Sequence, residues 1–257
     1  MVLKNQMLAI YIMWKRQLKR FMRSKSRIIA MIVQPLFFLV ILGGGLSKAM
    51  LPGMEGDYII FFAPGIITMA ILFSSMFTGI SILWDREYGF LQEVLVAPIS
   101  RYSIIIGRIF GGGTTALVQG FIILLITIGL RVPIASIPGL LLTIVFMILV
   151  AFTAVGFGLV MASKIEDMQG FQIIMNLVIM PLFFLSSAIF PIANSGLPDI
   201  IVTVSFANPL FYMVDGIRGS LTGINNVFHP LIDLFVVFLF CIVLIALGSY
   251  FFSKKET

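Results

Sequence analysis

The sequence predicts an all-α, polytopic membrane protein, and three observations lead there. Of its 257 residues 60% are hydrophobic and only 11% are charged, against about a quarter charged in soluble domains. The apolar residues gather in six long runs, none of which alternates as a strand would. The 17 Lys and Arg outnumber the 11 Asp and Glu, and the excess falls on one side of a six-span arrangement.

The chain divides into an N-terminal amphipathic segment, 1–27, and a single transmembrane domain, 28–257. Eight of the 17 basic residues lie in the first 27 positions, a distribution that suits a membrane surface and argues against nucleic acid. Met7, Tyr11, Trp14, Leu18 and Phe21 recur at spacings of four and three, forming an apolar stripe. Trp14, Lys15, Arg16, Lys19 and Arg20 read as an interfacial anchor, the indole at headgroup level and the cations toward anionic lipid. The segment is too long and too amphipathic for a cleaved signal, and no small-residue cleavage pattern follows it.

The six runs cover 28–46, 59–83, 104–130, 137–162, 171–190 and 231–252. Each approaches or exceeds the roughly 20 residues needed to cross a ~30 Å hydrocarbon core, and a crossing segment must satisfy its own backbone hydrogen bonds, so each is a helix. Spans one and five share the pentapeptide PLFFL, at 35–39 and 181–185. A proline within a span frees a carbonyl and bends the helix. Pro35, Phe37, Phe38, Pro181, Phe183 and Phe184, with Phe73 and Phe77 of span two, are therefore candidates to line a path for apolar or amphiphilic cargo. Residues 191–230 are too apolar for a free loop and too interrupted by proline to cross. They predict short external helices that dip partway into the bilayer, with Asp215 and Arg218 three apart on one face.

Orientation follows from Lys and Arg. With both termini cytoplasmic, the inner segments hold 14 of the 17 basic residues, leaving Lys48, Arg131 and Arg218 outside. The localisation this predicts is the cytoplasmic membrane of a prokaryote.

Several chemistries are missing from the chain. It has no Gly-x-x-x-x-Gly-Lys-Ser/Thr, hence no phosphate-cradling loop of its own; the GGGTT at 111–115 lacks the lysine. Gly107 and Gly111 form a Gly-x-x-x-Gly step suited to close helix packing. One histidine, His229, and one cysteine, Cys241, leave no catalytic triad, no intramolecular disulfide and no ligand set with metal spacing. Arg108 and Asp233 lie within two turns of their span starts, where they are expected to reach the interface. With no ionisable group at mid-membrane, a self-energised carrier is disfavoured.

Between spans two and three stands a polar island, WDREYGFLQEVLVAPIS, residues 84–100. It reads as a short amphipathic helix broken at Pro98, with Leu91, Val94 and Leu95 as an apolar patch among Asp85, Arg86, Glu87 and Glu93. Such a helix suits a groove on a soluble partner; a solvated loop is the alternative. The island resembles the hallmark of type-2 ABC exporter permeases of the daunorubicin-resistance and nodulation-exporter branch. The matching residues are Asp85, Arg86, Glu87, Gly89, Leu91, Glu93, Leu95, Val96, Pro98, Ile99, Ser100 and Arg101, with Gln92 where an acid is common. The likeness extends over the whole chain in its basic start, six spans and broken region before the last span.

The resemblance implies two permeases, identical or related, associated with two separately encoded cytoplasmic ATP-binding subunits. ATP and Mg would sit on those subunits and no cofactor on this chain, which is then not itself an enzyme. The region 84–103 would be the coupling helix, docking through Asp85, Arg86, Glu87, Tyr88, Gly89, Leu91, Glu93, Leu95, Pro98 and Arg101. Lys164, Glu166 and Asp167 in the loop 163–170 would make a smaller contact. Cargo would be a hydrophobic or amphiphilic drug or lipid-like molecule passing near spans one, two and five. Polysaccharide or lipid-linked glycan exporters share this architecture, and an ATPase-independent pore or scaffold is the competing class.

Overall fold

The computed structural model describes residues 2–47, 56–90, 96, 99–193 and 196–255, and the described residues form helices joined by turns, without strands. In chain order they are α1 (Val2–Arg23), α2 (Lys25–Phe38, continued by a π turn over Leu39–Gly43), α3 (Tyr58–Glu87), α4 (Arg101–Gly129), α5 (Ile137–Lys164), α6 (Met168–Phe184), α7 (Asp199–Phe206), α8 (Pro209–Leu221) and α9 (Pro230–Lys255). Five of them, α2 with its π turn, α3, α4, α5 and α9, are long and apolar enough to cross a membrane.

The expected span 171–190 is shorter than its apolar run. α6 has 17 residues, about 25 Å at 1.5 Å per residue, and ends three residues after Pro181. The carbonyl of Leu182 instead accepts a hydrogen bond from Asn208 Nδ2 at 2.6 Å. Asn208 also caps α8, accepting from the Leu210 amide at 3.0 Å, so one side chain ends one helix and starts another. α7 and α8 meet at 82°, in keeping with broken helices before the last span.

α3 is the hub. Its apolar window is 83% buried, against 22% for α2 and α9, and it packs on α4, α5 and α8. Pro35 shows how neighbours repair a broken ladder. Its missing N–H leaves the Met31 carbonyl without the usual i+4 donor, and Gln119 of α4 supplies one at 2.6 Å.

The far end of the bundle, where α8 lies, is closed by Asp215 and Arg218, both fully buried. Asp215 accepts from the amides of Val227 and Phe228 at 2.9 and 2.8 Å. Arg218 donates to the Phe61 carbonyl at 3.3 Å and the Ser187 carbonyl at 2.5 Å, and lies over the Phe61 ring. The face predicted for this pair is real, and its partners are α3, the turn after α6 and the loop before α9. Asp233 does not reach a surface. It is fully buried, and neither carboxylate oxygen has a hydrogen-bond partner among the described residues.

Candidate functional site

At the opposite, basic end, α3 carries a polar face that its apolar composition conceals. Ser74, Thr78, Ser81 and Asp85 follow at spacings of four, three and four, and all four are buried. This spacing keeps them on one side of the helix, toward α1 and α4. Gln17 of α1 donates to Ser81 Oγ at 3.2 Å.

Asp85 ends that face in an ion-pair cluster. Arg16 grips it with two hydrogen bonds, Nη1 to Oδ2 at 2.8 Å and Nη2 to Oδ1 at 2.7 Å, the bidentate geometry that makes arginine–carboxylate pairs strong. Arg20 adds a contact at 3.3 Å. Arg108 of α4, fully buried, approaches to 2.8 Å as an ion pair without hydrogen-bond alignment. Burial lowers the pKa of Arg20 and Asp85 opposes that shift. The same arginines stack on the chain that leads into the island: Arg16 lies 3.6 Å from the Phe90 ring centroid and Arg20 4.8 Å from that of Trp84.

α1 can do this because it lies directly against α4. A Cβ on Gly107 would come within 2.6 Å of Met13 Cβ, and one on Gly111 within 2.6 Å of Gln17 Cβ. The Gly-x-x-x-Gly step is thus the seat of α1. Trp14 Nε1 donates to Thr114 Oγ1 at 3.1 Å, so the indole bonds to α4 instead of serving only as a headgroup anchor. The buried face of α1 is Ala9, Met13, Gln17 and Phe21, and of the predicted stripe Met7 and Tyr11 stay exposed.

α1 also holds the far side of the island. Gln6 Oε1 accepts from the Ser100 amide at 2.8 Å and from Ser103 Oγ at 2.6 Å. Arg101 Nη1 donates to the Ser253 carbonyl at 3.0 Å, tying α4 to the C-terminal helix.

Of the residues predicted to dock a partner, Glu87 and Tyr88 are exposed, Tyr88 at 78%. They stand beside Gly89, whose φ of +74° suits glycine at the end of α3. Asp85 faces inward, so its carboxylate serves the chain's own arginines; Arg108, expected to reach the interface, is its buried partner. Arg86 is half-buried. Leu91, Glu93, Leu95 and Pro98 lie outside the described residues. In the second loop Lys164, Glu166 and Asp167 are exposed; Lys164 lies 4.2 Å from the Phe251 ring centroid and Asp167 caps α6. The anchor cations Lys15, Arg16, Lys19 and Arg20 line one groove of about 720 Å³ along α1.

The predicted cargo path does not form one surface. Pro35, Phe73 and Phe77 meet at a cavity between α2 and α3. Phe38 packs against the core and Phe183 is buried in it, whereas Phe37 and Phe184 point outward, 57% and 53% exposed, and Pro181 is exposed.

Residues 8–222 match the model of the ABC-2 type transporter family. The chain is similar to the inner membrane transport permease YadH of Escherichia coli strain K12, 28% identical over 246 residues that cover 91% of this chain and 90% of that one. It is similar to the putative transport permease ycf38 of Cyanophora paradoxa, 28% identical over 212 residues, 81% of this chain and 72% of that one. A probable multidrug ABC transporter permease of Escherichia coli strain K12, YbhR, is 30% identical over 161 residues, 62% of this chain and 43% of that one. The chain belongs to the ABC-2 type transporter family.

Proposed function

We propose that this ABC-2 family protein is the permease subunit of an ATP-driven exporter, with residues 84–103 as the handle through which a separate ATP-binding subunit moves it. The observation that carries this is the rooting of the island. Glu87 and Tyr88 project at its start, and immediately behind them Asp85 is held by Arg16 and by Arg108. A partner that changes shape on ATP hydrolysis needs something stiff to displace, and a tip anchored to three helices transmits displacement as rigid-body tilt. Coupling also needs contacts that differ between nucleotide states; Glu87, Glu93 and Arg101 are placed in that role, with Lys164, Glu166 and Asp167 as the second contact. ATP and Mg belong to the partner.

Both termini and the island are cytoplasmic in this reading, in a prokaryotic inner membrane, and a second permease, identical or related, completes the assembly. Hydrophobic or amphiphilic cargo is supported by the apolar spans and by the likeness to a permease named for multidrug transport. The test is Glu87→Ala with Glu93→Ala. The double variant is expected to insert and melt normally, since Glu87 is exposed and surface substitutions change stability by about 0.5 kcal/mol or less. It is also expected to lose co-purification with a co-expressed, separately encoded ATP-binding subunit. Full co-purification and normal export would remove the docking assignment, and flux through liposomes holding this chain alone would favour a pore.

A further inference from the structure

α2 and α3 separate along facing sides to leave a cavity of about 110 Å³, with Arg27, Gln34 and Pro35 on one wall and Met69, Phe73 and Phe77 on the other. The helices run antiparallel there. Arg27 stands at the Phe77 end, its guanidinium 5.4 Å from that ring and 5.7 Å from the Phe21 ring. Pro35 and Met69 close the other end, about 12 Å away at 1.5 Å per residue. Beyond Arg27 lies a much smaller void lined by polar side chains, among them Gln17, Ser74, Thr78 and Thr115.

Arg27 is half-buried and, among the described residues, has no ion-pair partner; its Nε is buried with no hydrogen-bond acceptor. This contrasts with Arg16, Arg20, Arg108 and Arg218, each of which has a carboxylate within 4 Å. A guanidinium withdrawn from water without a counter-charge is costly. It is also a fork of donors shaped for carboxylate or phosphate oxygens. Here it adjoins a wall of aromatic and thioether side chains.

We infer that the α2–α3 cavity binds an amphiphile with an anionic oxygen head, the head on Arg27 and the first carbons against Phe77, Phe73 and Met69. The volume sets how much is enclosed. An apolar cavity of about 150 Å³ accepts one benzene, so about 110 Å³ takes a head group and the first few carbons. The rest of the tail would run along the outward face of α2, where Val33 and Phe37 are more than half exposed. The inference deepens the export reading, and rests on it only for the fate of the bound molecule.

The test is native mass spectrometry of the full chain released from neutral maltoside micelles, with dodecyl phosphate and dodecanol as probes. A charge-assisted contact predicts dodecyl phosphate adducts at a concentration roughly tenfold lower than dodecanol adducts. Arg27→Gln should erase that preference and Arg27→Lys keep part of it, while Phe77→Ala should weaken both probes together. Inorganic phosphate alone should leave no adduct. Competition by phosphatidylglycerol identifies the occupant as bilayer lipid, and lack of competition identifies it as a free amphiphile; either keeps the site. Equal binding of the two probes, or an unchanged preference in Arg27→Gln, overturns it. So does a Gln34→Cys cross-link between two copies with no adduct formed, because the groove is then a contact between chains. Binding is read without ATP, so failure of the export reading would leave this result intact, and the reverse holds too.

Discussion

At the far end, one acid and one base on the same helix, Asp215 and Arg218, are fully buried, and backbone amides and carbonyls take up their hydrogen-bonding groups. At the basic end a single acid, Asp85, is shared by Arg16, Arg20 and Arg108, and the first two are 29% exposed. The Asp215–Arg218 pair balances charge for charge within one helix. The basic cluster leaves two positive charges over and draws its cations from α1 and α4. One arrangement is a lock holding α8 against α3. The other is a joint, stiff while Asp85 is gripped and open to competition from another anion.

The sharpest way to break this contrast is Arg218→Ala. Removing one member of a buried pair leaves an uncompensated charge and typically costs about 3–5 kcal/mol. The variant is expected to lose its thermal transition in detergent or to melt far below the parent; an unchanged melting temperature would mean that the far end is no lock. Asp85→Asn should cost less, about 1–3 kcal/mol, because two of the stranded cations reach solvent. Its signature is a faster tryptic cut at Arg16 and Arg20, slowed by added salt that screens the repulsion. A cut rate equal to that of the parent would show that Asp85 does not hold α1. Gly107→Ala should cost least, about 1–2 kcal/mol of overpacking. It too should release α1 to protease, since the new methyl would fall 2.6 Å from Met13 Cβ. If it destabilises the bundle without exposing α1, the helix is seated elsewhere.

Much of this was legible along the chain. The Gly107–Gly111 step announces a close helix contact, although not that α1 fills it. The polar face of α3 was open to the same periodicity that found the amphipathic N-terminus: Ser74, Thr78, Ser81 and Asp85 repeat at helical spacing. It is easily passed over because hydropathy averages three hydroxyls into an apolar run. Pro35 was readable as a break, and Gln119 as its repair was not. The expectation that Arg108 reaches the interface failed because distance from a span end says nothing about which neighbour covers it.

By itself, then, the sequence determined that the protein is helical and membrane-embedded, where five of its six apolar runs form long helices, where the chain bends and at which end its basic residues gather. All of these depend on composition and spacing within a few turns. The tertiary structure alone decided that Asp85 turns inward to Arg16, 69 positions away, that α6 stops early where Asn208 takes the Leu182 carbonyl, and that Arg27 has no acid beside it among the described residues. Hydrophobic period acts locally, whereas a charge takes its partner from whatever the packing of distant helices brings within a few ångströms.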